Sequence, residues 1–143
     1  MSTLISSSLM KKSISFSSKF ENIDLAEKFI TTICEYEDID ERYFGNIIIA
    51  VTESVNNAIV HGNKENPEKD VNLHYFLNGK ELGFVVEDQG EGFNFDIIPD
   101  PTLPENIEKL SGRGIFLMKS LADEVCFTKD GRSVEMKFDI TNG

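Results

Sequence analysis

The chain has 143 residues and a mass of 16.1 kDa, the size of one ordinary domain around a single hydrophobic core. Fourteen Lys and Arg against twenty-five Asp and Glu leave a net charge of −11, which excludes a global electrostatic grip on nucleic acid and argues against an anionic ligand. Forty per cent hydrophobic residues with eleven Phe mark a folding chain, and the longest aliphatic run, Ile47 to Val51, is far too short to cross a membrane.

Met1 to Lys12 lacks the basic, apolar and small-residue order of a signal peptide, so the cytoplasm is the expected location. Residues 1–10 read as a frayed serine-rich tail and 11–143 as one domain. Ile14 and Phe16 alternate with Ser13, Ser15 and Ser17, the pattern of a half-buried edge strand. Ile23, Leu25, Ala26, Phe29, Ile30 and Ile33 recur at helical spacing and predict an amphipathic helix from Asn22 to Tyr36, with Asn22 or Asp24 as N-cap. A second helix is predicted from Asp40 to about His61, ended by Gly62 and Asn63. Val71 to Leu77 and Glu81 to Asp88 predict a hairpin joined at Asn78-Gly79. The stretch Phe93 to Ser111, with Pro99, Pro101 and Pro104, predicts a lid or binding segment. A helix from Gly114 to Ala122 and two strands, Glu124 to Lys129 and Ser133 to Ile140, around Asp130-Gly131 complete the chain. Cys34 and Cys126 sit in apolar stretches without ligand spacing, so buried free thiols are expected rather than a disulfide or zinc site. This order predicts an α/β fold, a two-layer sandwich with helices on one face of a mostly antiparallel mixed sheet.

Three segments carry chemistry. Glu53, Asn57 and His61 stand four residues apart in one row of a helix, offering carboxylate, amide and imidazole together; a solvated helix face has the same spacing. Asp88 ends a buried strand and is followed by Gly90 and Gly92, which suits a flat ligand approaching backbone while the carboxylate accepts a hydrogen bond; a glycine-rich turn with a surface Asp has the same residues. The acidic spacing of an EF-hand is absent. Ser111-Gly112-Arg113-Gly114 opens the last helix, where free amides and a guanidinium suit a phosphate, though a flexible cap would read alike. No Walker-type phosphate loop is present.

The order of these segments resembles the GHKL ATPase superfamily, the group of gyrase, histidine kinases and MutL. Within it, Glu53-Ser54-Val55-Asn56-Asn57-Ala58-Ile59-Val60-His61 and Ser111-Gly112-Arg113-Gly114-Ile115-Phe116-Leu117-Met118 most resemble the anti-sigma-factor serine kinases of bacterial partner-switching systems. The resemblance covers about Lys11 to Ile140 and implies a Bergerat-type, histidine-kinase-like ATP-binding domain. It implies that Asn57 holds the Mg²⁺ bridging the ATP phosphates and that Asp88 accepts from the adenine amino group. Gly90 and Gly92 would let the base pack on backbone, Gly112, Arg113 and Gly114 would close on the phosphates, and Glu53 would be the catalytic base. His61 would have a packing or capping role. A Gly-Thr pair usual in the last hairpin is absent, because Gly131 is followed by Arg132 and Ser133.

The implied function is an ATP-dependent serine protein kinase that phosphorylates a small STAS-type anti-anti-sigma partner and sequesters a sigma factor or similar regulator. Neither a coupling domain nor a dimerisation helix with a phosphorylated His fits in this length, so action in trans is expected. The alternative is a nucleotide-gated protein-binding module with little or no kinase activity. By resemblance a homodimer is implied, with no direct nucleic-acid or membrane contact. Local neutralisation by Mg²⁺ and helix amides would reconcile the acidic chain with a triphosphate.

Overall fold

The computed structural model of the chain describes residues 12–91 and 112–141. The serine-rich tail, Gly92 and the predicted lid lie outside the described residues. The elements run β1 (Ser13–Ser17), α1 (Ile23–Tyr36), α2 (Glu41–Asn57), a π turn (Ala58–Gly62), β2 (Asp70–Asn78), β3 (Glu81–Glu87), α3 (Gly112–Leu121), β4 (Glu124–Thr128) and β5 (Ser133–Asp139). The strands form one sheet in the order β1-β2-β3-β5-β4, and every pairing among them is antiparallel. The α/β class and the mostly antiparallel sheet expected from the sequence are therefore met.

Period-two alternation sorts each strand between core and outer face. Phe16, Val71, Leu73, Tyr75, Leu82, Phe84, Val86, Val134, Met136 and Phe138 point into one core with Ala26, Ile30 and Ile33 of α1 and Ile47, Val51 and Val55 of α2. The register Leu73↔Val86↔Val134 carries this apolar layer across three strands. On the opposite face Lys137 reaches Glu124 at 3.3 Å, with Glu81 at 3.9 Å and Glu135 at 3.8 Å. That face is charged where its neighbours are strand carboxylates.

Several local readings change. The hairpin turn is Gly79-Lys80, not Asn78-Gly79: Asn78 still pairs with Glu81, and Gly79 alone takes positive φ, +62°. Asn22 precedes α1 but does not cap it; its Nδ2 donates to Ser17 O at 2.8 Å and ties the helix start to β1. Asp40 does cap α2, accepting from Arg42 N at 3.0 Å. Cys34 is buried, and burial pushes its thiol up to about 11. Cys126 is exposed instead of buried, because β4 is the sheet edge and the residue occupies its outward face. Among the described residues no helix is long and apolar enough to cross a membrane.

Candidate functional site

The second helix does not reach His61 in α geometry. It ends at Asn57 and widens into the π turn, where Asn63 N donates to Ala58 O at 2.8 Å, a five-residue closure. Such wide turns concentrate at functional sites because they re-aim the side chains of one turn. Beyond it Lys64 and Glu65 both adopt positive φ. Asn63 fixes this exit: its Nδ2 donates to Ser18 Oγ at 2.7 Å and Asp70 O at 2.9 Å, and its Oδ1 accepts from Gln89 N at 2.7 Å. One 1 % exposed amide thus joins the helix end to β1, β2 and the chain leaving β3.

Asp88 follows the last residue of β3 and extends the ladder by one bond, its N–H donating to Arg132 O at 2.9 Å. Its Oδ1 accepts from Gly90 N at 2.8 Å, closing an Asx turn. Burial raises the carboxyl's pKa above its ordinary value, opposed by the Gly90 N–H and the positive charges of Arg132 and Lys69. Two glycines make the close approach possible. A Cβ on Gly62 would lie 2.4 Å from Asp88 Oδ2, and one on Gly90 would lie 1.8 Å from Gly62 O. The missing side chains let the helix exit and the strand exit touch.

The third wall is the left-handed turn between β4 and β5. Lys129, Asp130 and Gly131 have φ of 53°, 56° and 86°. Lys129 is held by an ion pair with Glu87, and its carbonyl accepts from Arg132 N at 3.1 Å and Arg132 Nε at 3.0 Å. This turn places Gly131 and Arg132 beside the end of β3.

These walls border a cleft that opens to solvent. Ser54, Asn57 and His61 line it from the helix, Asp88 from the strand end, and Val86, Val134, Ile115 and Met118 from the apolar layer. Burial lowers the His61 pKa and favours the neutral ring. Two polar atoms in this lining, Ser54 Oγ and Asn57 Nδ2, are buried without a hydrogen-bond partner among the described residues. Buried polar groups are almost always paired, so a pair of orphans in one cleft marks a surface shaped for something else.

Asn57, Asp88 and His61 therefore converge. Glu53, one turn before Asn57, is half-buried and is not among the lining residues. Gly90 faces Gly62 backbone. Gly112, Arg113 and Gly114 form the backbone of the first turn of α3, two residues earlier than the predicted start; their side chains, like Gly92, lie outside the described part. Sequence reasoning missed Ser54, Gly62 as a contact of Asp88, and Asn63 as a node. Ser54 had a signal in its spacing, three residues before Asn57; the other two depend on contacts between distant segments.

Residues 16–138 match the histidine kinase-like ATPase domain model. The chain is 34% identical over 115 residues to serine-protein kinase RsbW of Staphylococcus epidermidis, covering 76% of this chain and 69% of that protein. It is 33% identical over 102 residues to the protein of the same name from Staphylococcus aureus strain JH9, covering 66% and 61% respectively. These curated relatives are serine-protein kinases, the enzyme class that the motifs imply. With a match over most of its length and a cleft at the junction of its three motif-bearing segments, the chain belongs to the histidine kinase-like ATPase domain family.

Proposed function

We propose that the protein is an ATP-dependent serine protein kinase of the anti-sigma-factor type. It acts in trans on a small STAS-type partner and controls a sigma factor or similar regulator by sequestration. The observation that carries the nucleotide reading is the presence, in one cleft, of a half-buried carboxylate at Asp88 and a buried Asn57 amide nitrogen that has no hydrogen-bond partner among the described residues. Asp88 is suited to accept from an exocyclic amine, which adenine presents and guanine replaces with a carbonyl. The Asn57 amide also offers an oxygen to a hard cation, so the residues present fit Mg²⁺, which when bound supplies charge neutralisation to the phosphates. α3 opens at Gly112, and the backbone amides of a helix N-terminus suit an anion.

In the proposed transfer the hydroxyl oxygen of a partner Ser forms a bond to the γ-phosphorus of ATP as the β–γ bridging P–O bond breaks. Glu53 accepts the hydroxyl proton, and ADP departs. Glu53 stands outside the described cleft lining, consistent with a base that faces an incoming protein rather than the nucleotide. The names of the relatives support the serine specificity.

The test is incubation of the purified protein with Mg²⁺, γ-labelled ATP and a panel of STAS proteins. The expected result is label on a partner Ser, lost in Glu53→Ala while ATP binding persists. Nucleotide-dependent capture of a partner with the ATP intact would replace the kinase by a nucleotide-gated binding module. Absence of ATP binding by the wild type would overturn the site itself.

A further inference from the structure

Ser54 is 2 % exposed and lies on α2, three residues before Asn57. A hydroxyl inside a helix ordinarily donates back to the carbonyl four residues earlier. Every other Ser or Thr of the described α-helices does so: Thr31 to Glu27 O at 2.9 Å, Thr32 to Lys28 O at 2.7 Å, Thr52 to Ile48 O at 2.6 Å and Ser120 to Phe116 O at 2.9 Å. Ser54 Oγ alone of these hydroxyls has no partner among the described residues. It faces the same cleft as Asp88, among the buried apolar side chains of Val86, Met118 and Val134. A hydroxyl left unsatisfied in such surroundings lowers the stability of the empty protein relative to Ala. Its cost is offset where a ligand brings the missing partner.

We infer that Ser54 is a specificity-determining residue of the nucleotide site, its hydroxyl donating a hydrogen bond to a ring nitrogen of adenine. This rests on the nucleotide reading above and adds to it a second polar contact to the base. The chemistry is complementary. Adenine presents an amine flanked by two acceptor nitrogens, N1 and N7, so an acceptor at Asp88 with a donor at Ser54 matches one edge of the ring. Guanine offers a carbonyl in place of the amine and an N–H at N1, which opposes the Asp88 acceptor and removes N1 as a partner for Ser54.

The test compares wild type and Ser54→Ala by calorimetric titration with Mg·ATP, Mg·GTP and the 1-deaza and 7-deaza analogues of ATP, together with melting of the nucleotide-free proteins. Ser54→Ala is expected to bind ATP about 3- to 10-fold more weakly, the range of one net hydrogen bond, with its nucleotide-free melting temperature equal to or above that of wild type. One of the two deaza analogues should bind wild type and variant alike, identifying the nitrogen that receives the proton. Equal ATP binding by both proteins overturns the inference, as does a lower nucleotide-free melting temperature, which would make Ser54 a structural residue. An affinity loss that persists undiminished with both deaza analogues overturns direct contact with the base. Failure of the wild type to bind ATP removes the nucleotide site as well, so the two failures are distinguishable.

Discussion

Asn57 and Asn63 are six residues apart at the end of one helix, yet they sit in opposite electrostatic situations. The Asn63 amide gives both N–H groups and its oxygen to Ser18, Asp70 and Gln89. The Asn57 amide nitrogen is buried with no partner among the described residues, and Ser54, nearly one helical turn away, shares that condition. The π turn separates the two regions. Below it lies a saturated polar node that fixes where the strands leave; above it lies a cleft with open valences. A buried polar group that is fully paired holds a fold together, whereas one that is unpaired weakens the empty protein and serves a ligand.

This contrast can be broken at four places. Asn63→Ala should have the largest effect, about 3 kcal/mol of stability, since it removes, at roughly 1 kcal/mol each, the bonds to Gln89 N–H, Asp70 C=O and Ser18 Oγ, which keeps only its donation to Lys69 O. Urea unfolding measures it, and a loss below 1 kcal/mol would show that Asn63 is not what holds these segments together. Next comes Gly90→Ala, at about 1–3 kcal/mol, because its Cβ would meet Gly62 backbone at 1.8 Å and backbone yields less readily than a side chain. Gly83→Ala is the control: its Cβ meets the outer-face ring of Phe76, which can turn aside, so it should cost less.

Asp88→Asn divides stability from binding. With its folded-state pKa raised by burial, ionised Asp88 disfavours the fold above that pKa, and the stability linked to its protonation is lost as pH rises through it. Asp88→Asn should therefore melt higher than wild type at neutral pH, with the gap closing as pH falls through the raised pKa. In the same variant Mg·ATP affinity should drop about 10-fold, the order expected for a hydrogen bond to a charged acceptor. A melting gap that does not change with pH would contradict the assignment. The smallest expected effect is Asn57→Ala in the absence of nucleotide, about 0.5 kcal/mol or less in either direction, with the Mg·ATP thermal shift abolished. A large loss of nucleotide-free stability would place Asn57 with Asn63 and dissolve the comparison.

The helices and strands were legible because each repeats its apolar residues at its own period. Ile30 and Ile33 declare α1, and Leu82, Phe84 and Val86 declare the core face of β3, without reference to anything distant. The shift from α to π geometry at Ala58 was not legible, since it depends on Asn63 being held by three other segments. Cys126 was misread for a related reason. Its apolar neighbours, Val125 and Phe127, are half-buried, but an edge position exposes the residue between them.

The sequence by itself determined the class of the fold, the order of its elements and the three motif-bearing segments, because periodicity, turn residues and spacing are local properties. Tertiary structure alone decided which polar groups are saturated and which are open. Whether Ser54 or Asn57 has a partner depends on segments far along the chain, and Gly62 and Gly90 matter only because helix exit and strand exit meet there. Hydrogen-bond satisfaction is a property of the packed interior, and that interior exists only after distant residues have been brought together.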